Sequence, residues 1–206
     1  MRQPRTVRAL EEFGRTHLSD SFFMRDFLYS EIAAINGFQN LPDDPDLAIA
    51  AGKHLCEDLL EPLQRQFGRI SVRSAYRSPQ VNRFGNANKL NCATSEKSFA
   101  GHIWDRRDDN SHMGATACVI VNRFIPYYER TGDWEALAWW IHDHLPYSDM
   151  EFFPKFAAFN LQWHEAPTRS IQSFIPPRRG RLTKPGIANW AGRHEAAYAE
   201  MLKEIG

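Results

Sequence analysis

The stretch NSHMGATACVIV, residues 110–121, decides how the chain is read. From Ala115 to Val121 it carries no charge and ends in the β-branched run Val119, Ile120 and Val121, the pattern of a short strand buried on both faces. A glycine and a histidine stand at its mouth. His112 precedes the strand and Cys118 lies within it, so two side chains able to ligate a metal belong to one strand. The stretch alone leaves two readings open: a metal centre, or a core strand with a histidine at its edge.

Outward from this strand the chain alternates helices and strands. "RISVRSAY", residues 69–76, alternates with the period of a strand, and Pro79 behind it suits the first turn of a short helix containing Val81. Upstream, residues 41–70 carry apolar positions at Leu47, Ala51, Leu55, Leu59, Leu60 and Leu63. Asp43 or Asp44 is available as cap, Pro45 stands near the start and Gly68 stops the helix. Downstream, residues 132–149 predict a helix that begins at Gly132 and Asp133 and ends at Pro146, and "KFAAFNLQWHE", 155–165, predicts a third strand.

The remaining segments are less regular. Arg8 to Ile35 has a broken helical period and reads as packing scaffold. Residues 85–111 are rich in Asn, Ser, Asp and Gly and predict a long functional loop. "APTRSIQSFIPPRRGRLTKPG", 166–186, predicts an extended basic loop, and a last helix is expected from Asn189 to Ile205.

Composition narrows the function classes. With 206 residues, 43% hydrophobic, the chain is long enough for a single domain with a sizeable core, expected over 1–206. Balanced charges, 25 basic against 25 acidic, supply no general attraction to nucleic acid or to an anionic membrane. Three cysteines, Cys56, Cys92 and Cys118, lack any CxxC spacing and argue against a disulfide framework. No apolar run reaches spanning length and no apolar stretch follows the first charges, so the expectation is a cytoplasmic protein with neither nucleic acid nor membrane as partner.

The strongest pointer is the order of the segments. "LLEPLQRQFGRISVRSAYRSPQVN", residues 59–82, resembles the opening of the M15 peptidase family, the zinc D-Ala-D-Ala carboxypeptidase and hedgehog-like group. There a helix and "FG" lead into a strand ending S-x-Y-R-S-P with a nearby Asn, matched here by Ser74, Tyr76, Arg77, Ser78, Pro79 and Asn82. A histidine before a G-x-A-x-D strand is matched by His112, Gly114, Thr116 and Cys118. "LPY" then ends a helix, and a final Trp-His is matched by Trp163 and His164. The resemblance implies an α+β fold whose small antiparallel sheet, flanked by helices, carries the metal. It divides the chain into an N-terminal helical extension (1–40), a peptidase-like core (46–165), and a basic loop with a C-terminal helix (166–206).

It also implies roles. His112, Cys118 and His164 would bind one zinc ion, with Cys118 where the family has aspartate. Arg77 would hold a substrate carboxylate by paired, charge-assisted hydrogen bonds, with Ser74, Tyr76 and Asn82 as further substrate-binding positions. The chain departs from the pattern in three places: one residue is missing between His112 and Gly114, Thr116 replaces alanine, and cysteine replaces aspartate. The glutamate that precedes the family's last histidine has no counterpart, which leaves Glu151, and second Glu165, as the base. The expectation is a zinc-dependent hydrolase cutting a peptide or peptidoglycan-like amide near a free carboxylate. The alternative is a repurposed metal-binding protein on the same fold without peptidase chemistry. His102 and Asp105 are read as a solvated loop or an alternative contact, His142 and His144 as helix-end residues, and Arg178 to Arg181 as a solvated basic loop.

Overall fold

The computed structural model describes residues 2–206. The fold is α+β: among the described residues six strands form one sheet and nine α-helices surround it. The strands are β1 (Ile70–Ser74), β2 (Gly114–Val121), β3 (Asp149–Phe152), β4 (Phe159–His164), β5 (Ser170–Ser173) and β6 (Gly180–Thr183). The helices are α1 (Val7–Gly14), α2 (Glu31–Asn36), α3 (Pro45–His54), α4 (Glu61–Phe67), α5 (Pro79–Ala87), α6 (Ser95–Ser98), α7 (Ile125–Thr131), α8 (Glu135–His144) and α9 (Glu195–Ile205). In the sheet the order is β1-β2-β4-β3-β5-β6, antiparallel throughout except for the parallel pair β3 and β5. The expected sheet was wholly antiparallel. The parallel pair arises because the chain leaves β4 and returns to the far side of β3 before running out again.

Alternation along each strand sorts the sheet into two faces. Ala115, Ala117, Val119 and Val121 of β2, with Phe159 and Leu161 of β4 and Met150 and Phe152 of β3, belong to the hydrophobic core. Thr116, Cys118, Asn160, Gln162, Asp149 and Glu151 occupy the alternate positions and face a cleft. The core face is covered by a single helical rod, in which a π-helical turn (Leu55–Leu60) joins α3 to α4. Asp44 caps the rod through the Leu47 amide and Pro45 sits in its first turn. Gly52 lets the rod lie close: a Cβ there would stand 3.0 Å from the Trp104 ring and 3.1 Å from Leu18.

Several segments differ from the sequence reading. Residues 166–186 are not an extended loop, since Ile171 is buried and β5 and β6 pair across Ile171↔Thr183 and Ser173↔Gly180. Residues 166–169, 174–179 and 184–186 keep the loop character, the middle stretch around Pro176 and Pro177. The third predicted strand starts late, at Phe159, because Phe156 takes φ 61° in the turn before it. The last helix starts at Glu195 rather than Asn189. The long loop begins only after α5 ends at Ala87, and it includes α6. Among the described residues no helix is long and apolar enough to cross a membrane.

Candidate functional site

The cleft on the polar face has a volume of about 800 Å³, in the range of small-ligand sites. Its floor is the sheet. β2 contributes Thr116 and Cys118, β4 Asn160 and Gln162, and β3 Asp149 and Glu151; one wall is the Arg73–Arg77 segment and the other includes Phe153 and Phe174. Lys97, Ser98 and His102 close it from the loop that precedes β2.

That loop is held down by its backbone. The Arg77 amide donates to the His102 carbonyl (2.8 Å), the Thr116 amide to the Gly101 carbonyl (3.0 Å), and Gln162 Nε2 to the Ala100 carbonyl (2.9 Å). Gly114 is required here, because a Cβ would overlap the Ala100 carbonyl oxygen and stand 3.0 Å from that of Trp163. Asp105, expected in a solvated loop, is instead buried, accepting from the Asp43 amide (2.7 Å) and the Tyr76 hydroxyl (3.1 Å). It joins the loop to the cap of α3.

Electrostatics divide the cleft. Of the charged residues that line it, Arg73 comes from β1 and Arg77 from the segment after it, Asp149 and Glu151 from β3, Lys97 from α6 and Glu31 from α2. β1 and β3 are three strand spacings apart, about 14 Å. Arg77 Nη1 donates to the Cys92 sulfur (2.6 Å), which steadies its guanidinium at the rim. Glu151 accepts from Asn160 Nδ2 (3.0 Å) and from Gln172 Nε2. Burial, reinforced by the charge of Glu151, pushes the Asp149 carboxyl up to about 6. His102 Nδ1 lies 2.8 Å from the Ala75 carbonyl, an acceptor, so that nitrogen carries the proton and the other meets the Asn160 side chain. Burial and the neighbouring Arg77 charge pull its pKa down to about 3, so the imidazole is neutral. Burial raises the Cys118 thiol against the pull of Arg73, which leaves it protonated at neutral pH.

Of the sequence-predicted residues, Ser74, Tyr76, Arg77, Cys118 and Glu151 line the cleft. The Tyr76 hydroxyl is spent on Asp105. Asn82 is buried outside the cleft lining and donates to the Ala93 carbonyl (3.1 Å), a structural role for the loop. Glu165 also lies outside, accepting from the Met113 amide (2.7 Å) and facing Arg107. The three expected zinc ligands do not converge. In the β2 and β4 register Gly114 faces His164 and Cys118 faces Asn160, so four residues, about 13 Å of strand, separate Cys118 from the level of His164. That ligand set does not fit one zinc ion.

His142, Asp143 and His194 are the only trio of such groups, among the described residues, whose donor atoms all lie within 4.8 Å. Each imidazole nitrogen there already has a partner. His142 meets the Tyr147 hydroxyl (2.7 Å) and the Trp190 carbonyl (3.0 Å), and His194 meets Asp143 (2.8 Å) and the Asn189 carbonyl (2.8 Å). The trio is a hydrogen-bonded clasp. Sequence reading passed over Asp149, Asn160 and Gln162; their alternation with Met150, Phe159 and Leu161 was the available signal.

No family model, curated protein or solved structure matches the chain. The function is therefore argued from the cleft itself.

Proposed function

We propose that the cleft binds a short peptide-like ligand with a free carboxylate, gripped at the rim by Arg77. The observation that carries this reading is the separation of two charged pairs across one cavity: Arg73 and Arg77 on and just after β1, and Asp149 and Glu151 on β3. A zwitterionic peptide of about two to four residues has its ends spaced to match, at roughly 3.3 Å per extended residue. A guanidinium recognises a carboxylate by paired hydrogen bonds, and Glu151 or Asp149 would receive the ammonium end.

Amide hydrolysis on the same ligand is a second reading, favoured by one feature. The Glu151 carboxylate is linked through Asn160 to a neutral imidazole, His102, whose second nitrogen carries no proton. These are the groups a proton-transfer step needs. No step is assigned to zinc at His112, Cys118 and His164, because those side chains stand apart.

Calorimetric titration with free-acid and amidated di-, tri- and tetrapeptides, and with peptidoglycan stem fragments, tests the binding reading. The free acids should bind and the amides should bind weakly. Arg77→Ala should remove the difference, since loss of one partner of a desolvated charge pair costs on the order of 2–5 kcal/mol. Equal affinity for acid and amide in the wild-type protein would discard the anchor. Product analysis on the same panel, with Glu151→Gln beside the wild type, separates binding from hydrolysis.

A further inference from the structure

The cleft face of β3 and β5 changes character at its end. In the parallel register Asp149 lies beside Ser170 and Glu151 beside Gln172, and one further step of the alternation brings Phe153 beside Phe174. The two rings stack at 5.6 Å with their planes 7° apart, and both line the cleft. We infer that this aromatic pair is a side-chain subsite, selecting ligands whose ammonium-bearing residue carries an aromatic or large aliphatic side chain. The inference rests on the peptide-binding reading of the cleft and names the ligand class which that reading leaves open: a short peptide with a hydrophobic first residue and a free carboxylate.

Three observations carry it. The first is exposure. Phe174 keeps 49% of its surface accessible, although Phe152, Ile171 and Ile175 around it are buried. A single exposed apolar side chain is ordinary, but a stacked pair lining a cavity is a surface that a ligand covers.

The second is that the backbone holds the pair in place. The Phe174 amide donates to the Phe152 carbonyl (2.8 Å) and the Phe153 amide to the Ala158 carbonyl (2.7 Å). Ser173 and Ile175, buried on either side of Phe174, are tied together by the Ile175 amide, which donates to Ser173 Oγ (2.9 Å). Rings positioned before the ligand arrives lose little freedom when it binds.

The third is spacing. Glu151 stands two residues before Phe153 on the same face, about 7 Å along the strand. With bonds of about 1.5 Å, the ammonium of a first-residue phenylalanine stands roughly 4–5 Å from its ring. Adding a hydrogen bond of about 2.8 Å to the carboxylate spans the distance. The same spacing assigns the ammonium to Glu151, since Asp149 is one alternation farther from the rings.

Apolar side chains at the other end of the cleft have a different neighbour. Tyr29 follows Phe27, whose carbonyl accepts from the Tyr76 amide (3.2 Å), and Leu90 precedes Cys92, which holds Arg77. Both belong to the carboxylate end, where they would meet the last residue of the ligand.

The test is calorimetric titration of the full chain with the free acids Phe-Ala-Ala, Leu-Ala-Ala, Ala-Ala-Ala and Ala-Ala-Phe, and with their amides. Phe-Ala-Ala and Leu-Ala-Ala should bind about 10-fold more tightly than Ala-Ala-Ala, the increment for covering one side of a large apolar side chain. Phe174→Ala, a truncation at a half-exposed position, should remove that increment while leaving the binding of Ala-Ala-Ala and Ala-Ala-Phe unchanged. Phe174→Tyr, which keeps the ring, should keep the increment. Equal affinity for Phe-Ala-Ala and Ala-Ala-Ala, or a preference that survives Phe174→Ala, would overturn the inference, and an acid-over-amide difference in the same titrations would leave the Arg77 anchor standing. Acids and amides binding alike, with the Phe174-dependent preference intact, would discard the anchor and support the subsite. Failure of every tripeptide to bind would overturn both.

Discussion

Asp149 is the side chain whose charge state most affects the cleft near neutral pH. Its carboxyl is lifted from 3.8 to about 6, chiefly by burial, with Glu151 adding to the lift. An acid with a raised folded-state pKa binds its proton more tightly folded than unfolded. Its contribution to stability is therefore present below pH 3.8, falls as pH rises between 3.8 and 6, and is flat above that. Asp149→Asn removes the decline. At about 1.4 kcal/mol per unit the variant should gain on the order of 1–3 kcal/mol over wild type at pH 7.5 and almost nothing at pH 4. Melting curves of both proteins across that range measure the gap, and parallel curves would refute the burial argument. Such a group was not legible in the sequence, where "SDMEFF" follows the proline that ends a helix and shows no period of its own, since two acids in six residues hide a strand that is apolar on one side only.

Among the elements, α9 depends most on a single clasp. Asp143, near the end of α8, accepts from the His194 amide (2.6 Å), meets the His194 ring (2.8 Å), and accepts from the Tyr198 hydroxyl (3.2 Å). The His194 ring stacks on Trp139 at 4.0 Å, while Tyr198, Met201 and Ile205 bury the rest of the contact. Hydrogen bonds to a charged group contribute about 1.5–3 kcal/mol each, although not additively. Asp143→Ala should lower the melting temperature by about 5 °C or more, as 1 kcal/mol corresponds to about 2–4 °C at this size. Hydrogen exchange should show α9 losing protection before the sheet does. Unchanged melting and protection would mean that the apolar contact alone holds the helix. The reading of His142 as a helix-end residue placed it correctly on α8 but gave no hint of its burial against Tyr147 and Trp190, because Trp190 is remote in sequence and Tyr147 folds back only past the proline that ends the helix.

For the molecule as a whole, the α+β character and the three strands β1, β2 and β4 were legible because their alternation and β-branched content are strong. β3, β5 and β6 are four residues each, too short for a period to register, and β5 and β6 flank a proline-rich turn that masked them. The cleft was half legible. Arg77, Cys118 and Glu151 were named from the segment order, whereas Asp149, Asn160 and His102 join them only through strand register and the folded loop. Register also explains why His112 and Cys118, six residues apart on one strand and its approach, serve different places: an extended chain carries them to opposite ends of the β2 and β4 pair.

The π turn in the rod over the sheet has a consequence for how the chain tolerates change. In it the Glu61 amide reaches back five residues to the Cys56 carbonyl, so one more residue is accommodated than an α-turn holds. The wider turn absorbs that residue and keeps the two halves of the rod in phase: Gly52 faces Trp104 while Leu63 and Phe67 stay in the core. Deleting the exposed Glu57 would close the turn to α-helical winding with both halves facing as before, whereas inserting one further residue there, which the turn has no room to absorb, would turn one half against the other by about 100°. The deletion should melt near the wild type and the insertion should unfold the domain, a contrast that thermal denaturation reads directly. The helix thus carries a spare residue at a solvent-facing position, where loss is tolerated and gain is not.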